Sequence, residues 1–129
     1  MPQDLTIFSL ASALAQHASQ RQDVIAQNVA HADTPGFKAR DLTPFSASLD
    51  GNAPTALTQT RPGHVGSFSR STFAVEEISL PGAEAPNGNT VSLEDQMLRS
   101  AQARQSHDLA LGVYSKALEI MRLSLGRRG

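Results

Sequence analysis

The side chains best suited to metal chemistry in this sequence are four histidines, His17, His31, His64 and His107. No two of them have metal-ligand spacing, because HExxH and His-x-His patterns are absent and His17 and His31 lie fourteen residues apart on one predicted helix. The chain has no cysteine, which excludes disulfides, thiolate metal sites and cysteine nucleophiles. We therefore expect no metal site and no metal cofactor.

Patterns for nucleophilic catalysis and phosphate binding are also missing. Serine is plentiful, but no Gly-x-Ser-x-Gly elbow presents one as a nucleophile. The segment Gly63-His64-Val65-Gly66 lacks the Gly-Lys-Ser/Thr ending of a phosphate-binding loop. Nothing in the sequence combines a nucleophile, a base and an orienting group. The sequence therefore predicts a protein that is not an enzyme and that takes no cofactor and no small-molecule substrate.

Amino-acid composition excludes further classes of protein. The chain has 129 residues, which fits one domain or one domain plus an appendage, and 11 Lys and Arg balance 12 Asp and Glu. Without a basic excess we expect no nucleic-acid partner. No apolar run approaches the length of a membrane-spanning helix, and the first residues lack the basic and apolar regions of a conventional cleaved signal peptide. The sequence is thus that of a structural or interaction protein.

Glycine and proline divide the chain into three parts. Residues 5–33 contain neither, and residues 91–125 contain only Gly112, whereas Gly, Pro, Ser, Thr and Asn fill 21 of the 40 positions from 51 to 90. This predicts a mainly α fold with an N-terminal helix in 1–34, a loop-rich insert in 35–90 and a C-terminal helix in 91–129. We expect the two helices to pack as an antiparallel, coiled-coil-like hairpin. The insert's candidates for short strands are Thr72–Val75 and Ile78–Leu80.

The N-terminal helix has one face with alternating four- and three-residue spacing. That face consists of Ile7, Ala11, Leu14, Ala18, Arg21, Ile25, Asn28 and Ala32. Such a pattern is typical of a coiled-coil seam, here with two polar interruptions. The opposite face is small and almost uncharged, where an ordinary surface helix would carry Lys and Glu. Either several neighbours pack on this helix, or it is an alanine-rich helix of a small bundle.

The C-terminal helix has more apolar surface than one neighbour can cover. Its stripe consists of Leu98, Ala101, Gln105, Leu109, Val113, Ala117, Ile120 and Leu123, and is widened by Tyr114, Leu118, Met121 and Leu125. We infer that the helices need other chains as partners. The residues predicted to pack between subunits are Ile7, Leu14, Ile25, Leu109, Val113, Leu118, Ile120 and Met121. Ser92 is the predicted N-cap of this helix, and Asp95 and Arg99 form an i,i+4 pair.

The segment Asp33-Thr34-Pro35-Gly36 is predicted to end the first helix. Pro35 disfavours helical backbone at Thr34, and Gly36 can take the positive φ that a type II turn requires. Phe37 follows the bend. It either pins the turn onto the helix or contributes to an interface, and the sequence does not separate these two roles.

Residues 21–40, RQDVIAQNVAHADTPGFKAR, resemble the N-terminal signature of the flagellar axial proteins, the family of rod and hook subunits. The residues that match the shared core of that signature are Asn28, Ala30, Thr34, Pro35, Gly36 and Phe37. Residues 60–64 and 87–94 resemble the proximal rod branch of the family in particular. The resemblance covers about three quarters of the chain.

The resemblance implies a structural subunit of the bacterial flagellar basal-body rod, which polymerises helically into the drive shaft for motility. It also implies terminal helices that pair as a coiled coil and pack against neighbouring subunits. The implied partners are copies of the chain, other rod proteins, the rod-base adaptor and the membrane ring of the basal body. The type III export apparatus would deliver the subunit to the periplasmic rod without a cleaved signal.

An alternative from another class is a soluble helical-hairpin adaptor or chaperone that binds one partner helix. The two hypotheses differ in the surface that they require. An adaptor needs one exposed apolar groove, whereas a rod subunit needs several contact faces.

Overall fold

The computed structural model describes residues 2–49, 73–78 and 84–126 of the chain. The elements are α1 (Pro2–Ala30), β1 (Arg40–Leu42), α2 (Phe45–Leu49), β2 (Val75–Glu77) and α3 (Leu93–Gly126). The mainly helical fold with a small stranded insert is confirmed. Within the described segments, no helix is both long enough and apolar enough to cross a membrane.

The helices α1 and α3 lie against each other in opposite directions. Near one end of the pair, the rings of Phe8 and Tyr114 meet edge to face with centroids 5.1 Å apart. Near the other end, Asn28 Nδ2 donates a hydrogen bond of 3.0 Å to Gln96 Oε1. Because positions rise along α1 as they fall along α3, the pair is antiparallel, as the sequence predicted.

Small side chains line the seam between the two helices. On α1 the buried residues of the predicted face are Ala11, Ala18, Ile25 and Asn28, and Leu14 and Arg21 between them are half-buried. On α3 the buried residues are Gln96, Ala103 and Ala110, which lie seven residues apart. Alanine at these positions lets the helices approach more closely than leucine would, since side-chain size at the contact sets the interaxial distance.

Most of the apolar stripe predicted on α3 is not the surface that packs on α1, although Tyr114 at its edge meets Phe8. Leu98, Leu109, Ile120 and Leu123 are between 59% and 67% exposed. Leu109 and the buried Ala110 are consecutive, so they point about 100° apart on a helix. Packing through alanine therefore turns the large residues of the stripe outward.

The helix boundaries differ slightly from those predicted. α1 ends at Ala30, before the predicted stop around Pro35, and turns occupy residues 31–36. α3 begins at Leu93, and the backbone N–H of Asp95 donates to Ser92 Oγ at 3.4 Å, so the predicted N-cap is confirmed. The predicted i,i+4 pair is also confirmed, with 2.6 Å between Arg99 Nε and Asp95 Oδ2.

The sequence indicated only the start of one of the two strands. β1 and β2 pair antiparallel, with Asp41 opposite Glu76. β1 was not predicted, and β2 begins where the first candidate strand ends, at Val75. Thr72, Ser79 and Leu80 of the candidate strands lie outside the described residues. Three-residue strands carry too little alternation for a sequence pattern to locate them.

A small apolar cluster attaches the strands to α1. Val24, Leu42 and Phe73 are buried together, and Phe45 packs against them. The buried His17 meets the edge of the Phe73 ring at 4.8 Å between centroids. This cluster holds the described part of the insert against the middle of α1.

We expect Ala103→Leu to destabilise the chain by about 1–3 kcal/mol, because an added isobutyl group at a position that is 1% exposed forces the helices apart. Urea unfolding followed by circular dichroism measures the effect. Ala101→Leu on the exposed side of α3 is the matched control and should change stability little. Equal effects of the two substitutions would contradict the seam described above.

Candidate functional site

The turn after α1 and the turn before α3 dock onto each other at one end of the helix pair. We call this region the joint; it consists of Asn28, residues 31–41 and residues 85–91. Its backbone is linked by hydrogen bonds from Gly36 N–H to the Asn87 carbonyl at 3.0 Å and from Thr90 N–H to the Phe37 carbonyl at 3.0 Å. The joint therefore brings together segments about fifty positions apart in the sequence.

Asn28 connects three elements through one side chain that is 1% exposed. Its Oδ1 accepts from the N–H of Arg40 at 3.1 Å, and its Nδ2 donates to the Arg40 carbonyl at 2.6 Å. The same Nδ2 donates to Gln96 Oε1 on α3. Asn28 thus satisfies both backbone groups of the first β1 residue, which explains the polar interruption in the α1 face. Gln96 Nε2 has no hydrogen-bond partner within the described segments.

Asn89 caps the end of α1 from the other side of the joint. It is 2% exposed, and its Nδ2 donates to the carbonyls of His31 at 2.8 Å and Thr34 at 2.7 Å. Both carbonyls also accept a backbone N–H, from Thr34 at 3.1 Å and from Phe37 at 3.3 Å, so Asn89 gives each carbonyl a second hydrogen bond and ties the turn after α1 to the segment before α3. Sequence reasoning missed this role. The sequence signal nearest to this role is the Asn-Gly-Asn-Thr run, which resembles the rod proteins.

Two glycines permit the close approach of the turns. Gly36 has a φ of +75° and Gly88 a φ of +84°, in the left-handed region that favours glycine. A Cβ at Gly88 would lie 3.4 Å from the Cα of Gly36. The positive φ predicted for Gly36 is confirmed, and the second glycine makes room for the first.

The remaining signature residues surround this contact. The Phe37 ring is half-buried and stacks on His31, with centroids 4.6 Å apart and an interplanar angle of 18°. Thr34 Oγ1 lies 3.2 Å from His31 Nδ1. Ala30, Thr34 and Pro35 are exposed. Phe37 therefore does pin the turn, through its ring and its carbonyl, and whether it also contacts another chain stays a prediction.

An ion network joins α1, β1 and α3 beside Asn28. Asp41 accepts two bonds of 3.0 Å from Arg21, through Nε and Nη2, and a further one from Arg99 Nη1. Arg99 also donates to Asp95. Two carboxylates thus neutralise two guanidinium groups in a place where the Asp41 side chain is only 7% exposed.

Burial and ion pairing act in opposite directions on these charges. Burial raises the pKa of Asp41, but hydrogen bonds and charge from Arg21, with further bonds from Leu42 N–H and Arg99, outweigh it and hold the pKa below its usual value. Burial lowers the pKa of Arg99, and Asp95 and Asp41 more than compensate, so this pKa is raised. Both shifts favour the charged forms of Asp41 and Arg99, which suits a structural network.

The residues predicted to pack between subunits are distributed along the helices, away from the joint. Ile25 is buried inside the chain, and Leu14, Leu118 and Met121 are half-buried. Ile7, Leu109, Val113 and Ile120 are 42%, 61%, 39% and 64% exposed and line one surface groove. No cluster of three metal-binding side chains occurs in the residues that the structure covers.

Comparison with known proteins identifies the family. Residues 9–38, which include most of α1 and the turn of the joint, match the family of flagella basal body rod proteins. The flagellar basal body rod protein FlgB of Agrobacterium fabrum strain C58 is 30% identical over 129 residues, covering 97% of this chain and 96% of that protein. The chain belongs to the FlgB family.

Other relatives support the same family assignment. FlgB of Escherichia coli K12 is 30% identical over 112 residues, with 80% of each chain covered, and FlgB of Aeromonas hydrophila is 31% identical over 121 residues, with 88% and 86% covered. The FlgB family is a structural component of the flagellar basal body rod, and it is not enzymatic. Membership decides against the adaptor or chaperone alternative and means that the chain assembles with other flagellar components.

Asp41→Asn should lower the free energy of unfolding at neutral pH by about 1.5–3 kcal/mol, because it removes the charged partner of two guanidinium groups. Chemical denaturation at several pH values measures this. The folded pKa of Asp41 lies below the unfolded value of about 3.9, so the unfolded chain takes up the proton first and the stabilisation disappears as pH falls through the folded pKa.

Below about pH 4, the stability of the variant should therefore fall less steeply with decreasing pH than the stability of the native chain. Glu119→Gln is the control, since its pair with Lys116 is on the surface. A neutral effect of Asp41→Asn would show that the network contributes no net stability.

Gly36→Val should cost about 1–3 kcal/mol of stability, because a β-branched residue is strained at a φ of +75°. Thermal melting followed by circular dichroism is the measurement. Gly126→Val, in α3 where nothing lies within 4 Å of the added Cβ, is the control. If both variants melt alike, the left-handed turn is not required.

Proposed function

We propose that this chain is a subunit of the proximal rod and polymerises helically, with copies of itself and with other rod proteins, into the drive shaft for motility. The observation that carries the proposal is the exposed apolar surface of α3. Leu98, Leu109, Ile120, Leu123 and Leu125 are between 59% and 72% exposed in the single chain. A surface of this kind is typical of a protein whose helices are completed by neighbours.

The buried and exposed faces of the helices make different contacts, and this difference supports the same role. The alanine seam holds α1 and α3 together, while the exposed residues Ile7, Leu109, Val113 and Ile120 remain available for neighbouring subunits. A contact between different patches of successive subunits builds an open helical filament and does not close into a dimer. Leu14, Leu118 and Met121, which are half-buried, would extend such contacts. Ile25, buried inside the chain, would support them from within.

The joint would supply stiffness between the helical tube and the insert. Asn28 and Asn89 hold the two turns through side chains that are almost fully buried, and the Asp41 network ties β1 to both helices. A torque applied to the insert would be carried to the helices by several charge-assisted bonds at once, which are stronger than neutral ones. This supports a role for the signature residues Thr34, Pro35, Gly36 and Phe37 in setting the angle between insert and tube.

The proposal includes the membrane ring and the rod-base adaptor as neighbours, and export through the type III apparatus into the periplasmic space. Membership in the rod protein family is what supports these partners. The absence of cysteine from the sequence also suits passage as an unfolded chain, because no disulfide has to be reduced or re-formed.

Ile120→Asp should abolish swimming and rod assembly while the protein is still made and folded, because a charge replaces an exposed apolar contact residue. Soft-agar motility and electron microscopy of basal bodies are the measurements, in a strain that carries the variant as its only copy. Ser115→Asp adds the same charge on a different face of α3 and serves as the control. Normal rods with Ile120→Asp would contradict the proposed surface.

A further inference from the structure

The joint contains the only Asn-Gly pair of the sequence, Asn87-Gly88. In such a pair the backbone nitrogen of the glycine can attack the side-chain amide of the asparagine, because no Cβ of the second residue shields that nitrogen. The other asparagines, Asn28, Asn52 and Asn89, are each followed by a residue that carries a Cβ. Asn87 is also exposed, so water reaches its side chain. Asn87 is therefore the asparagine of this chain that is chemically most prone to deamidate.

Deamidation at this position proceeds through a five-membered ring. The Gly88 nitrogen gives up its proton to water and bonds to Cγ of Asn87, the bond between Cγ and Nδ2 breaks, and Nδ2 takes up a proton and leaves as ammonia. Water then opens the ring. If the bond between the ring nitrogen and Cγ breaks, the product is aspartate. If the bond between the ring nitrogen and the backbone carbonyl carbon breaks, the product is isoaspartate, whose main chain runs through the former side chain.

Three hydrogen bonds of the folded joint oppose the formation of the ring. The attacking group is already engaged, since Gly88 N–H donates to the Ala85 carbonyl at 2.9 Å. The backbone carbonyl of Asn87 accepts from Gly36 N–H at 3.0 Å, and its Oδ1 accepts from Asn89 N–H at 3.1 Å. The ring requires the side chain of Asn87 and the peptide that follows it to rotate towards each other. The joint must therefore open locally before the reaction can occur.

The two products fit the joint differently. Aspartate keeps the main chain unchanged and keeps an Oδ1 that can accept from Asn89 N–H. Isoaspartate lengthens the main chain by one methylene group and converts the carbonyl that accepts from Gly36 N–H into a free carboxylate. The turns leave little room for a longer chain, since even a Cβ at Gly88 would lie 3.4 Å from the Cα of Gly36. The neighbouring carbonyl of Gly88 is also held, because Lys38 Nζ donates to it at 3.2 Å.

We propose that Asn87 is a site of spontaneous deamidation, that the closed joint suppresses the reaction, and that isoaspartate at this position prevents the joint from closing. A chain that stays unfolded accumulates the modification, whereas a chain with a closed joint is protected. Isoaspartate thus excludes from the rod a subunit that has spent a long time unfolded. This last consequence rests on the proposed function, and the chemistry at Asn87 does not.

The rate of deamidation in two states tests the protection. The full chain in guanidinium chloride and the same chain in purified basal bodies are incubated at one pH and temperature, and peptide mapping by mass spectrometry follows residue 87. The reaction should be about tenfold slower or more in basal bodies, because it has to wait for local opening. Asn28, which precedes Val29, is the internal control and should react slowly in both samples.

Gly88→Ala tests the chemical route. In guanidinium chloride the left-handed turn is absent, so the substitution introduces no strain there. The added Cβ shields the attacking nitrogen and should slow deamidation at position 87 about tenfold or more. An unchanged rate would show that the reaction does not use the Gly88 nitrogen.

Limited proteolysis compares the two products in one sample. The full chain aged in guanidinium chloride contains asparagine, aspartate and isoaspartate at position 87, and it is then diluted into native buffer and digested briefly. Molecules whose joint stays open are cleaved first, so isoaspartate should be depleted about fivefold or more among the survivors. Aspartate should survive as asparagine does, which makes it the matched control.

Three results would overturn the proposal. They are equal rates in basal bodies and in denaturant, a Gly88→Ala chain that deamidates as fast as the natural one, and equal survival of isoaspartate and aspartate. If the purified basal bodies lack the chain, the proposed function fails instead. The proteolysis experiment does not depend on the rod, so the two ideas can fail separately.

Discussion

The close approach of α1 and α3 along a seam of alanines is the constraint on which the rest of the structure depends. Ala18, Ala103 and Ala110 are each 1% exposed, so the middle of the contact is tight, while Phe8 meets Tyr114 near one end and Asn28 meets Gln96 near the other. The apolar residues that would form the core of an ordinary helical hairpin therefore lie outside. Leu109 and Ile120 remain in contact with water in the single chain. The alanine packing that joins the two helices therefore also leaves large apolar side chains exposed on the single chain.

Polar side chains provide specificity where the seam supplies little. Asn28 and Asn89 each satisfy backbone groups of another segment, and Asp41 links charges from both long helices. Buried polar groups tolerate few alternatives, because a shift in register leaves them without partners. The joint thus selects one arrangement of helices and insert, while the alanines alone would allow the helices to slide.

Much of the hairpin could be predicted from the spacing of apolar residues and from the positions of glycine and proline. The face of α1 that contains Ala11, Ala18 and Asn28 was located correctly, as were Ser92 at the start of α3 and the left-handed Gly36. The α3 face was not, because a hydrophobic pattern reports where apolar residues lie and does not report which of two faces meets the neighbour inside the chain. β1 and the capping role of Asn89 were missed for a related reason, since both depend on partners far away in the sequence.

The sequence by itself determined the class of protein, the two long helices, the turn between Thr34 and Phe37, and the lack of catalytic patterns, because each of these is a local property of spacing and residue type. Only the tertiary structure decided that Asn28 clamps Arg40, that Asn89 caps α1, and that alanines and not leucines meet across the seam. Those outcomes depend on which surfaces come together in three dimensions. The burial of a few small or polar groups decides which surfaces meet, and the free energy of that burial cannot be read from any single stretch of sequence.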